Sequence, residues 1–87
     1  MSSVRFKVVG RVQNVGFRAY ACNAASSSGV TGEVWNCRDG SVEGIASGDS
    51  VEGFLELLKS GPGVVTMVRR EDAPDQTFEG FVIVSTR

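Results

Sequence analysis

One change of hydrophobic period constrains this chain more than any other feature. Over residues 4–9, Val4, Phe6 and Val8 alternate with Arg5 and Lys7, the mark of a strand with one apolar and one charged face. From Phe17 onward the spacing turns helical, through Tyr20, Ala21, Ala24, Ala25 and Ser28. The switch falls within Gly10-Arg11-Val12-Gln13-Asn14-Val15-Gly16-Phe17-Arg18, so this stretch must carry the chain from a strand into a helix N-terminus. The first N–H groups of a helix have no partner inside it. They stand at the positive end of the helix dipole and attract an anion. Gly10 and Gly16 admit backbone angles and close approaches that a side chain blocks. Arg18, in the first turn, adds a flat fork of donors matched to phosphate or carboxylate. Together these residues predict a small anion site, for a phosphoryl group before any other. Two commoner phosphate loops are excluded, because no Gly-Lys-Ser/Thr follows and the third glycine of the dinucleotide pattern is missing.

The remaining chain completes a recognisable order. Ser26-Ser27-Ser28-Gly29 stops the helix. Residues 30–36 read as a second strand, with Thr31, Val34 and Trp35 favouring it, and residues 41–47 as a third. Between them Asn36-Cys37-Arg38-Asp39-Gly40 is a turn, so the two strands form a hairpin with Asn36 at its tip. Asp49 as N-cap, with Glu52 three residues on, opens a second helix whose stripe is Val51, Phe54, Leu55 and Leu58. Ser60-Gly61-Pro62-Gly63 ends it. Residues 64–70 form a fourth strand, residues 71–77 a polar connection containing Pro74, and residues 78–84 a fifth strand. The order β-α-β-β-α-β, plus a last strand, predicts an α+β, ferredoxin-like sandwich. Two helices lie on one face of a mostly antiparallel five-stranded sheet. The neighbour of the last strand is left open by the sequence.

Size and charge narrow the function. Eighty-seven residues predict a single domain over residues 1–87. A chain of this length buries only about 60–65% of its unfolded surface, enough for one core. A net charge of −1 argues against a general nucleic-acid or membrane-surface binder. Every charged side chain before Glu33 is nevertheless positive: Arg5, Lys7, Arg11 and Arg18. Cys22 and Cys37 are too few for a disulfide framework, and with no histidine the chain has no ordinary metal-ligand set. Reduced thiols, no membrane-length apolar run and no signal-peptide core place the expected protein in the cytoplasm, as a monomer, without metal or cofactor.

Gly10-Arg11-Val12-Gln13-Asn14-Val15-Gly16-Phe17-Arg18 resembles the first motif of the acylphosphatase family, G-[RK]-V-Q-G-V-x-F-R. Gly32-Glu33-Val34-Trp35-Asn36-Cys37-Arg38-Asp39-Gly40-Ser41-Val42-Glu43-Gly44 resembles the second, G-[FYW]-[AVC]-[KRQAM]-N-x3-G-x-V-x-G. Gly61-Pro62 and Phe78-x-x-Phe81-x-Ile83 are similar to the family's C-terminal half. Three positions depart from the pattern. Asn14 replaces a glycine, and since Asn tolerates the left-handed region, a positive φ is expected there. Glu33 stands in place of an aromatic and Trp35 in place of a cation, an aromatic shifted two positions along one strand face. Glu33 would weaken anion attraction if it faced the pocket.

The resemblance implies hydrolysis of acyl phosphates to a carboxylate and inorganic phosphate, with Arg18 and Asn36 as the catalytic pair. The residues suit that reaction. A carboxylate leaves without a proton from the enzyme, so a site without histidine suffices. An alkyl phosphate monoester would need an acid or a metal. A phosphohistidine intermediate is impossible, and a cysteine-phosphatase loop would need Cys where Val12 stands. Direct attack by water remains. Backbone N–H groups of Gln13, Asn14, Val15, Gly16, Phe17 and Arg18 would cradle the phosphoryl oxygens, Arg18 would balance their charge, and Asn36 would orient the water. The alternative of another class is a non-catalytic phosphate-binding or regulatory module of the same shape. An RNA-binding sheet would need exposed aromatics on the central strands, which the third strand lacks. An acylphosphatase-like domain of a larger carbamoyl-transfer maturation protein is the third rival.

Overall fold

The computed structural model describes residues 2–87. Its elements are β1 (Ser2–Arg11), α1 (Phe17–Ser28), β2 (Thr31–Asn36), β3 (Val42–Gly48), α2 (Val51–Leu58), β4 (Val64–Ala73) and β5 (Phe81–Ile83). The strands make one sheet in the order β4-β1-β3-β2-β5. β1 runs antiparallel to β3 and β4, and β2 antiparallel to β3. β5 joins the edge parallel to β2, Phe81 to Ile83 opposite Gly32 to Val34. The sheet is therefore mixed but mostly antiparallel, in a ferredoxin-like α+β sandwich.

Period-two alternation decides which residues the helices cover. Val4, Phe6 and Val8 of β1, Val34 of β2, and Val42 and Ala46 of β3 share the core with Phe17, Ala21, Ala24 and Ala25 of α1 and Val51, Phe54, Leu55 and Leu58 of α2. Phe54 lies between Phe6 and Phe81, with ring centroids 5.5 and 5.3 Å away. Burial of each large apolar side chain of this kind contributes about 1.5–3 kcal/mol. The small residues of α1 let it sit close to its neighbour, and the Tyr20 hydroxyl donates to the Leu57 carbonyl at 2.7 Å.

The other residues of the alternation face the uncovered side of the sheet. There the Lys7 ammonium lies 2.9 Å from Asp39 and 3.6 Å from Glu43, and the Arg5 guanidinium lies 5.9 Å from the Trp35 ring centroid. Two of the four early cations are thus engaged away from the helix side, so the positive field expected of the first third is divided between two faces.

Several boundaries differ from the sequence expectation. β4 continues through Ala73 because its ladder with β1 runs on to Ser3, and an edge strand needs no buried face to persist. β5 is shorter than residues 78–84 because only Phe81, Val82 and Ile83 pair with β2. The N-cap position of α2 is Ser50 rather than Asp49, and the Ser50 side chain makes no capping hydrogen bond to the helix. Its stability comes instead from the apolar stripe, as it does for most short helices.

Candidate active site

The sheet topology brings both ends of the predicted site to one place. β1 and β2 each run antiparallel to β3, so they point the same way and finish at the same end of the sheet. The loop after β1, residues 12–16, and the last residue of β2, Asn36, share that end. A bulge between Val9 and Gly10 redirects β1 just before the loop. A Cβ on Gly10 would run into the Val64 carbonyl, so only glycine lets β4 approach this closely.

The loop has the left-handed turns that an anion cradle requires. Asn14 has φ 61°, as the Asn-for-Gly replacement predicts, and Gly16, the N-cap of α1, has φ 80°. Such turns aim successive backbone N–H groups toward one point. The first intrahelical bond is Tyr20 N–H to Gly16 O at 3.0 Å. Among the described residues, the N–H groups of residues 13–18 donate no hydrogen bond. Val12 is buried and anchors the loop, whereas Asn14, Val15 and Gly16 are exposed.

A recess of about 150 Å³ opens here, lined by Asn14, Gly16, Phe17, Arg18, Ala19 and Ile83. At ~30 Å³ per water-sized group it holds roughly five, the scale of one phosphoryl group and a water. Arg18 is half-buried and, among the described residues, forms no ion pair. Ile83 pairs with Val34 of β2. Asn36 lies two residues further on the same face of that strand, a spacing of roughly 7 Å. Its carboxamide oxygen Oδ1 is buried without a hydrogen-bond partner in the protein. An unsatisfied buried acceptor costs about 1–3 kcal/mol, so its persistence asks for an explanation.

A larger recess of about 260 Å³ lies on the uncovered face, between Arg5, Lys7, Glu43, Arg69 and Glu71. It has no converging backbone donors, and its lysine is already engaged by Asp39 and Glu43. Chemistry therefore favours the smaller recess.

Gln13 ties the two motifs together. Its side-chain amide donates to the carbonyls of Cys37 at 2.7 Å and Ser41 at 2.9 Å, bridging the loop to the hairpin that carries Asn36. The sequence pointed to the backbone of Gln13 and gave no sign of this side-chain bridge. The hairpin turn is itself fixed by Asp39, whose carboxylate accepts from Ser41 N–H at 2.9 Å and Ser41 Oγ at 2.6 Å. Those bonds, with Lys7, hold the Asp39 carboxyl well below the usual carboxylate range. Burial pushes the Cys37 thiol up, so it stays protonated and a poor nucleophile at neutral pH. Arg11 is exposed at the rim of the loop.

The two strand departures lie behind the site. Glu33 and Trp35 alternate with Val34 and Asn36, so they face the uncovered side. Trp35 is 1% exposed, and the shifted aromatic is indeed packed. Glu33 does not face the recess; its carboxylate lies 3.9 Å from Arg87.

Comparison with known proteins completes the picture. The Acylphosphatase family model matches residues 4–83. An acylphosphatase of Bordetella parapertussis is 42% identical over 81 residues, covering 91% of this chain and 84% of that one. One of Thermotoga maritima is 40% identical over 87 residues, covering 95% and 97%. The crystal structure of acylphosphatase from Bacillus subtilis superposes with a TM-score of 0.91 at 34% identity, covering 97% of this chain and 99% of that one.

Proposed function

The chain belongs to the acylphosphatase family, and from that premise we propose how its own residues carry the reaction. It hydrolyses the carboxyl–phosphate bond of acyl phosphates, giving a carboxylate and inorganic phosphate. The N–H groups of Gln13, Asn14, Val15, Gly16, Phe17 and Arg18 hold the phosphoryl oxygens, with the dipole of α1 behind them. The Arg18 fork binds two of those oxygens and balances charge as it spreads in the transition state. The Asn36 carboxamide hydrogen-bonds the attacking water and aims it in line with the departing carboxylate. Water oxygen bonds to phosphorus as the P–O bond to the acyl group breaks, and the bonding pair leaves with the carboxylate. A carboxamide is no base at neutral pH, so the water's proton passes to a phosphoryl oxygen or to solvent.

The observation that carries this reading is the shared end of the sheet, where the handed loop leading into Arg18 and the last residue of β2, Asn36, finish together. We further propose that the protein is a monomer of one domain acting in the cytoplasm on small acyl phosphates, without metal, cofactor, nucleic acid or membrane partner. Support comes from the net charge of −1 and the absence of histidine. Among the described residues no helix is long and apolar enough to cross a membrane.

Benzoyl phosphate hydrolysis in the presence of a chelator tests the reading. Stoichiometric release of benzoate and phosphate at an undiminished rate is expected. Activity lost to the chelator and restored by a divalent cation would overturn metal independence. No hydrolysis under either condition would favour the non-catalytic module.

A further inference from the structure

Asn36 is held from both sides of its strand. On one side it pairs with Val42 of β3. On the other, β5 ends at Ile83, yet the chain keeps running along β2. Val84 N–H donates to Val34 O at 2.9 Å, and Arg87 N–H donates to Asn36 O at 2.9 Å. Arg38 N–H in turn donates to Arg87 O at 3.1 Å. One residue bonded to the positions on either side of Cys37 is the slanted pattern of a parallel pair. The Arg87 side chain then crosses the uncovered face. Its guanidinium carbon lies 3.9 Å from the Trp35 ring centroid, and its Nη2 lies 3.9 Å from Glu33 Oε1.

We propose that Arg87 is a positioning residue, a strap across the back of β2 whose main-chain bonds and stack on Trp35 set the aim of the Asn36 carboxamide. The inference rests on the reading that Asn36 orients the attacking water. Asn36 Oδ1 is buried with no hydrogen bond from the protein, so its direction depends on how the backbone at residue 36 seats the side chain. A strand end without a ladder partner frays at little cost. Arg87 supplies that partner at Asn36 O and at Arg38 N–H, the two ends of the turn into the hairpin loop. The stack acts on the same motion. Trp35 and Asn36 point to opposite faces of one strand, so a twist that swings the carboxamide also drags the indole out from under the guanidinium. Trp35 is almost fully covered although it lies outside the core shared with the helices, and Arg87 forms part of that cover. The planar guanidinium suits a face-on stack in a way that a lysine ammonium does not.

The strap touches β2 and not the anion cradle, so it acts on turnover and leaves phosphate affinity alone. Three chains test this against the unaltered protein: Arg87→Ala, Arg87→Lys and a chain ending at Thr86. Each is assayed for kcat with benzoyl phosphate and for Ki of inorganic phosphate, below its unfolding temperature. Arg87→Ala keeps the main-chain bonds and loses the stack, and its kcat is expected to fall about tenfold; a displacement of 1 Å is worth roughly a hundredfold. The shorter chain loses both and falls further. Arg87→Lys lies between Arg87→Ala and the unaltered protein, and Ki stays within about twofold throughout. A kcat within twofold of the unaltered protein for Arg87→Ala and the shorter chain would overturn the strap. So would a Ki that rises in step with the fall in kcat, the behaviour of a merely loosened fold. Asn36→Ala, assayed alongside, separates the two readings. If it retains activity the role of Asn36 fails; if it is inactive while the Arg87 variants are unaffected, only the strap fails.

Discussion

The chain passes from a strand to a helix on the same side of the sheet twice, and the two passages differ. Between β3 and α2 lie two residues, Asp49 and Ser50, and the helix that follows buries Val51, Phe54, Leu55 and Leu58. Between β1 and α1 lie five, with Asn14 and Gly16 in left-handed conformations, and the helix that follows buries little more than Phe17 and three alanines. The short passage leaves no room for backbone donors to converge and invests its residues in the core. The longer one stores unpaired donors at a helix N-terminus and gives up packing to do so. One fold device thus serves stability at one passage and leaves donors free for an anion at the other, and loop length with backbone handedness separates the two uses.

That contrast can be broken at both passages. The largest effect is expected for Arg18→Gln, which keeps the helix but removes the charge facing the recess. Its kcat/KM with benzoyl phosphate should fall by about a thousandfold or more, and phosphate should no longer compete measurably. Asn36→Ala should lower kcat by about a hundredfold or more while Ki for phosphate stays nearly constant, because aiming water matters only in the transition state. Ligand titration beside steady-state kinetics distinguishes these two outcomes. Phe54→Ala, in the other passage, should cost about 3–5 kcal/mol in denaturant unfolding. A chain of this size has roughly 4–13 kcal/mol in all, yet the folded fraction should keep its specific activity. The smallest and sharpest test is Asn14. Ala there must adopt a positive φ at about 1–2 kcal/mol, whereas Gly adopts it freely. Asn14→Ala should therefore weaken phosphate binding and Asn14→Gly should not; equal affinities would remove the handed loop from the account.

Much of this was legible in residue order because the signals are local. Val4, Phe6 and Val8 alternate whatever the chain does later, Gly29 stops α1 where it stands, and Asp39-Gly40 turns the hairpin on its own bonds. Asn14 was readable for the same reason, since its φ is settled within the loop. The expected cap at Asp49 shows the opposite case: local spacing placed the helix start there, and the fold starts α2 one residue later, after Ser50, where its apolar stripe meets the core. The early cations are another such case. Adjacent in sequence, they are parted in space because a strand sends alternate side chains to opposite faces.

By itself the sequence determined the order of elements and the handed loop, each set within a few residues, and it nominated the arginine and the asparagine of the proposed site. Only the tertiary structure decided that β5 lies parallel to β2, that Gln13 spans from the loop to Cys37 and Ser41, and that Arg87 closes over Trp35. Those contacts join residues 24 to 52 positions apart. They form only when a sheet with its core face covered brings distant edges together, and no local pattern of side chains records that arrangement.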